Sequence, residues 1–104
     1  MTIHECEWHE LSDDEKKHII DVRESSEIGP NDWKKVTDRG GEVLFYPLSR
    51  YRNIIPVLAE GRDYIISCAH GVRSRIASGA WSANRTGRLI SLAGGYEAIR
   101  NEMS

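Results

Sequence analysis

Cys68 closes the apolar run Tyr64-Ile65-Ile66-Ser67 and is followed by Ala69, His70, Gly71, Val72, Arg73, Ser74 and Arg75. A thiol at the carboxyl end of a buried parallel strand, directly before a glycine-containing turn into a helix, stands where open α/β sheets bind ligands. The backbone N–H groups of such a turn, together with the helix N-terminus, stabilise a thiolate and an anionic substrate alike. The pattern therefore predicts a nucleophile at Cys68. An inert buried thiol is the commoner fate of a lone intracellular cysteine. Against that reading, the residues after Cys68 supply a glycine for a sharp turn, an imidazole and a guanidinium rather than more core. Arg73 ends the loop and has two readings, pairing with a substrate anion or with a carboxylate beneath the loop. His70 is expected to face solvent, where it can attract an anion or meet a partner; an already ionised thiolate needs no general base. Arg75, one step into the helix, reads as a solvated residue that adds positive potential at the mouth.

The second thiol, Cys6, lies in the segment His4-Glu5-Cys6-Glu7-Trp8-His9. Strand alternation puts His4 and Cys6 on one face and His9 on the other, which disfavours a shared metal, and Cys6 and Cys68 match no zinc spacing. Cys6 is expected half-buried beside Trp8, away from the Cys68 loop and so not a resolving thiol for it. Two cysteines make no disulfide framework.

The elements that must position Cys68 are legible as an alternation of strands and helices. Residues 3–8 alternate like an edge strand. Ser12-Asp13-Asp14-Glu15 reads as the cap and acidic first turn of a short helix ending near His18. Ile19-Ile20-Asp21-Val22 is short and apolar enough for a buried strand. Gly29-Pro30-Asn31-Asp32 and Gly40-Gly41 punctuate a loop-rich middle, and a third strand is expected at residues 43–46. Ser49 then caps an expected helix with apolar positions at Tyr51, Ile54, Ile55, Leu58 and Ala59, stopping at Gly61. Residues 64–67 form the fourth strand, residues 74–83 a helix rich in small residues that lies close against the sheet, and residues 88–92 the fifth strand. The turn Ala93-Gly94-Gly95 leads into a final helix through Met103. This rhythm predicts an α/β fold with about five mostly parallel strands and helices on both faces.

Composition agrees with that class. A chain of 104 residues with 39% hydrophobic and 29% charged residues has the size and balance of one soluble domain. No stretch approaches the ~20 apolar residues of a membrane span. The acidic N-terminal residues lack the apolar core of an export signal, so the expectation is a cytoplasmic protein. Net charge is −2 but uneven: residues 1–27 hold nine acids against three bases, whereas residues 73–88 hold four arginines and no acid. That basic stretch favours small anions locally. With no basic cluster interleaved with aromatics, it gives no ground for nucleic-acid binding, nor is membrane binding expected.

Four segments in order resemble the rhodanese-like sulfurtransferase family. Ile20-Asp21-Val22-Arg23-Glu24 with Glu27 resembles its Asp-Val-Arg stretch, and Tyr46-Pro47-Leu48-Ser49 its Pro-Leu segment. Cys68 to Ser74 resembles its active-site loop, and Leu92-Ala93-Gly94-Gly95-Tyr96-Glu97-Ala98 its closing Gly-Gly motif. Each motif is weak alone; four in register are specific in combination. The resemblance implies a single rhodanese-like domain over residues 1–104, a three-layer α/β/α fold, and Cys68 as the catalytic nucleophile. It further implies a substrate-binding loop of Ala69, His70, Gly71, Val72, Arg73 and Ser74, with Asp21 and Arg23 supporting it through an ion pair with Arg73 or its neighbours. The family's loop has six residues counted from the cysteine, whereas the related phosphatases and arsenate reductases place an arginine where Ser74 stands here; sulfur transfer is therefore expected over phosphate hydrolysis.

The implied reaction is a ping-pong transfer. Cys68 takes the sulfane sulfur of a donor such as thiosulfate, becomes a persulfide, and yields the sulfur to cyanide or a thiol. No metal or organic cofactor is implied. A carrier or sensor that loads only from a protein, such as a cysteine desulfurase, or relays to a thioredoxin-like protein, has the same fold, as does a regulatory interaction module. Two departures bear on the site. The family's His-Ile-x-Gly-Ala segment is replaced by residues 29–42, and Ala69 stands where the family often carries arginine, which tilts toward the carrier. Ile99 replaces the tryptophan that usually closes the Gly-Gly motif.

Overall fold

The computed structural model describes residues 4–51, 54–82 and 85–103. Five strands, β1 (His4–Cys6), β2 (His18–Asp21), β3 (Glu42–Phe45), β4 (Tyr64–Ser67) and β5 (Leu89–Leu92), form one sheet in the order β1-β5-β4-β2-β3. Every pairing is parallel. The two central strands β4 and β5 are buried along their whole length, as their near-continuous apolar sequences require.

Side chains alternate between two core layers. Ile19, Ile65, Ile90 and Leu92 point to one face, where Trp33, Val36, Tyr96, Ile99 and Met103 cover them. Those covering residues come from α1 (Lys34–Asp38) and α4 (Gly95–Met103) and from Trp33, which precedes α1. Ile20, Ile66 and Leu89 point to the other face and pack with Ala77 and Trp81 of α3 (Val72–Trp81) and with Leu48 of the short α2 (Leu48–Tyr51). Helices on both faces of a parallel sheet give the expected three layers. Among the described residues no helix is long and apolar enough to cross a membrane.

Most element boundaries fall within two residues of the sequence reading; Ile3 and Ala83, at the ends of an expected strand and helix, lie outside the described residues. The expected short helix before β2 is a single 3-10 turn, Glu15–Lys17. Ser12 and Glu15 bracket it: the Glu15 N–H donates to Ser12 Oγ at 3.1 Å and the Ser12 N–H to Glu15 Oε1 at 2.8 Å.

Two expectations fail. Of the helix expected beyond Ser49, the stretch Leu48–Tyr51 forms; Arg52 and Asn53 lie outside the described residues, and residues 54–59 are irregular. Pro56 explains this, because it has no N–H to donate and biases Ile55 away from helical dihedrals. Ile54 and Ile55 are accordingly exposed rather than buried on a helix face. Conversely, α1 forms inside the loop-rich middle. It buries Val36 alone and is entered through Trp33, whose φ of 66° lies in the left-handed region. Two bonds hold that strained residue: its backbone N–H donates to Tyr96 Oη at 3.2 Å and its indole Nε1–H to Asp21 Oδ2 at 2.7 Å.

Candidate active site

Cys68 is 1% exposed and follows directly on β4, the middle strand of the sheet, on the face covered by α3. Gly71, with φ of 94°, turns the chain back so that its own N–H donates to Cys68 Sγ at 3.0 Å. The N–H of Ser74, in the first turn of α3, donates to the same sulfur at 3.4 Å, and Ser74 Oγ lies 3.6 Å away. Ser74 Oγ is in turn 3.2 Å from the Gly71 carbonyl, to which it donates, and 2.7 Å from Ser91 Oγ on β5. The sulfur therefore sits in a cradle of two backbone donors and one hydroxyl, at the amino end of a ten-residue helix. First-turn N–H groups of a helix have no intrahelical acceptor, so Sγ satisfies donors that would otherwise be orphaned.

The closing Gly-Gly motif holds this loop from the other side. The Tyr96 N–H donates to the Cys68 carbonyl at 2.7 Å and the Glu97 N–H to the Ala69 carbonyl at 3.1 Å. Gly95 has φ of 65°, and a Cβ there would stand 2.4 Å from the Cys68 carbonyl oxygen and 2.6 Å from the Ala69 carbonyl carbon. Only glycine permits that approach.

Arg73 takes the second of its two readings. Its Nη1 and Nη2 donate to Glu27 Oε1 and Oε2 at 2.7 and 2.8 Å, a bidentate pair about one-third exposed. The Arg73 bonds hold the Glu27 carboxyl down to about 2, so the pair is fully charged at neutral pH. Asp21 and Arg23, expected to support the loop through Arg73, pair instead with each other. Arg23 Nη2 and Nε donate to Asp21 Oδ2 at 2.7 and 3.0 Å, and Nη2 also reaches Asp32 Oδ2 at 3.0 Å. Both residues are essentially inaccessible. The reason is proximity in sequence: the Arg23 side chain folds back over the end of β2, where Asp32, the Glu27 carbonyl and the Tyr96 ring complete its shell. Burial works against the Arg23 charge, but its bonds to Asp21 and Asp32 outweigh this and raise its affinity for the proton.

The other expected residues distribute as follows. His70 is exposed, Val72 is 65% exposed, and Ala69 is buried in the loop. Arg75 lies at the surface, with Nε 3.6 Å from Glu5 Oε2. Cys6 packs against the core layer beneath α4, on the face of the sheet opposite Cys68. Burial first, then Glu10 and Glu15, pushes its thiol up, so Cys6 is a poor nucleophile.

Sequence reasoning missed Ser91 as part of the cradle. Its signal was present: a serine inside the otherwise apolar strand Leu89-Ile90-Ser91-Leu92 must find a partner. The specific partner of Arg73 was also missed, since Glu27 is distant in sequence and brought near by the turn after β2.

A groove of about 430 Å³ lies beside Arg73, lined by Leu48, Ile76, Ala77, Ala80 and Trp81 together with Glu24 and Ser49.

Fold and site together define a parallel α/β protein with a cradled thiol at the carboxyl end of its middle strand. Comparison of the chain with protein-family models, with curated proteins and with solved structures finds no match.

Proposed function

We propose that the protein is a rhodanese-like sulfurtransferase that works through a Cys68 persulfide. The observation that carries this reading is the cradle itself: Sγ accepts the Gly71 and Ser74 N–H groups at 3.0 and 3.4 Å. Donors fixed in that position hydrogen-bond to the attacking sulfur, and the same donors can serve the terminal sulfur of a persulfide. The Cys68 thiolate attacks the outer sulfur of a donor; the donor's sulfur–sulfur bond breaks, and its electron pair leaves on the inner group, sulfite in the case of thiosulfate. The new bond joins Sγ to the transferred sulfur. A nucleophile, cyanide or a thiol, then attacks that outer sulfur and returns Cys68 as the thiolate, so neither half-reaction consumes an oxidant or a reductant.

The test is intact-protein mass spectrometry before and after incubation with a sulfane sulfur donor, alongside Cys68→Ser. One sulfur gained by the wild type, absent from the variant and removed by cyanide, is the expected result. A gain that persists in Cys68→Ser would move the chemistry elsewhere. No gain from thiosulfate, an organic persulfide or a cysteine desulfurase would end the reading.

A further inference from the structure

A cavity of about 490 Å³ lies on the face of the sheet opposite Cys68, walled by α1, α4 and the 3-10 turn Glu15–Lys17. Its volume is that of a small-molecule site. Trp8, Val36 and Met103 supply its apolar lining. Around them stand four cations, Lys16, Lys17, Lys35 and Arg39, against two carboxylates, Asp13 and Glu102, a balance of +2 in a chain whose net charge is −2. His9, also in the wall, lies 3.4 Å from Glu7 Oε2. The cations are largely uncommitted. Arg23, Arg73, Arg88 and Arg100 each meet a carboxylate, and so does Lys34, which pairs with Asp38 at 3.0 Å. Among the described residues Lys35 and Arg39 meet none. Lys16 lies over the Trp8 ring at 5.2 Å instead of against an anion, and Lys17 has only a 4.0 Å contact with Asp14. Lys35 and Arg39 stand about one helical turn apart, where like charges repel. A concave site with an unbalanced positive lining concentrates anions.

We propose that this cavity binds a small phosphomonoester, with the phosphate held by Lys16, Lys35 and Arg39 and the hydroxyl or amino groups of the organic part held by Asp13 and Glu102. A phosphomonoester carries about −1.5 to −2 charges at neutral pH, which matches the balance of the lining. A single carboxylate would leave half of that balance unmet. The guanidinium fork of Arg39 suits two phosphate oxygens at once, and the lysine ammoniums act as point charges beside it. The Trp8 ring attracts the Lys16 ammonium without neutralising it, so the cation is positioned yet still available to an anion. Asp13 and Glu102 are acceptors and select for a ligand that also carries donors. The cavity and the Cys68 cradle lie on opposite faces of the sheet, so neither reading depends on the other.

The experiment is calorimetric titration of the full chain with adenosine monophosphate, ribose monophosphate, inorganic phosphate and adenosine. At least one of the two esters should bind with a Kd below about 1 mM, and inorganic phosphate and adenosine about tenfold more weakly or worse. Whichever ester binds better tells a nucleotide from a sugar phosphate. Lys35→Gln and Arg39→Gln should each weaken that ester about tenfold, the scale of one hydrogen bond to a charged group. Lys34→Gln removes the same charge from the same helix but not from the cavity, and should change the affinity by less than about twofold. All three side chains are exposed, so the variants should fold as the wild type does. In nitrogen–proton NMR spectra the Trp8 indole signal should move on binding, whereas that of Trp81, on the Cys68 face, should stay. No saturable binding of either ester would overturn the proposal. So would inorganic phosphate binding as tightly as the esters, equal weakening in Lys34→Gln, or a shift confined to Trp81.

Discussion

Gly95→Ala tests whether the Cys68 loop is held by the start of α4. Two costs add at this position. Alanine at φ of 65° is strained by about 1–2 kcal/mol in the left-handed region. The new methyl would also stand 2.4 Å from the Cys68 carbonyl oxygen and 2.6 Å from the Ala69 carbonyl, both backbone atoms with no side-chain freedom to move aside. Relief requires the loop to withdraw by roughly an ångström, which stretches the Tyr96–Cys68 and Glu97–Ala69 hydrogen bonds beyond bonding range. Each is worth about 0.5–1.5 kcal/mol, so the total loss is about 2–5 kcal/mol. Gly40 supplies the control: it has φ of 83° and no atom within 4 Å of the position a Cβ would take. Gly40→Ala should cost only the conformational part. Urea unfolding of both variants gives the difference, and alkylation of Cys68 by iodoacetamide reports the cradle, since loop withdrawal carries the Gly71 and Ser74 donors away from Sγ. Gly95→Ala should be the less stable by at least about 1 kcal/mol and should change the Cys68 rate, whereas Gly40→Ala should leave that rate as in the wild type. Equal losses in the two variants, or an unaltered Cys68 rate in Gly95→Ala, would refute the strap.

Asp21→Asn should destabilise the fold by about 3–5 kcal/mol in urea, because it weakens the main partner of a fully buried guanidinium. The Glu27–Arg73 pair should add an acid-labile increment. Glu27 is held at about 2 in the folded chain against an ordinary 4.5, so the increment is complete above that unfolded value and fades as pH falls from about 5 toward 2. With the pair one-third exposed, screening limits it to about 1–2 kcal/mol, and Glu27→Gln should remove that part of the pH dependence in urea titrations. In Cys68→Ser, the remaining thiol of Cys6 should react with iodoacetamide more slowly than free cysteine at pH 8, because burial and the Glu10 and Glu15 carboxylates oppose its ionisation.

The parts of the molecule written in the sequence are those with an unambiguous local signal. β4 and β5 are short apolar runs ended by turns, and the loop after Cys68 carries its own glycine at the position that needs a left-handed dihedral. The separation of Cys6 from Cys68 is expected from the edge position of the Cys6 strand; the structure adds that the two thiols lie on opposite faces of the sheet. What failed was local periodicity read without its breaker: Ile54, Ile55 and Leu58 keep helical spacing, yet Pro56 stands among them. α1 stayed hidden because Val36 is the one side chain it buries, and because its entry through Trp33 depends on bonds to Tyr96 and Asp21 from remote parts of the chain. The same holds for the charged groups. Glu27 and Arg73 were each visible as candidates, but the fold brings them together from remote parts of the chain, and no local spacing encodes that pair.

The strap from α4 also sets an order of events. The strand that carries Cys68 and the helix that follows it are synthesised before β5 and α4, so the Ser91 hydroxyl and the Tyr96 and Glu97 amides reach the loop only when those later elements dock. Until then the Cys68 and Ala69 carbonyls lack those partners. The loop thus reaches its full set of contacts only with the complete fold, and a chain interrupted between α3 and α4 would carry Cys68 to Ser74 without the hydroxyl and amides that hold them from the other side.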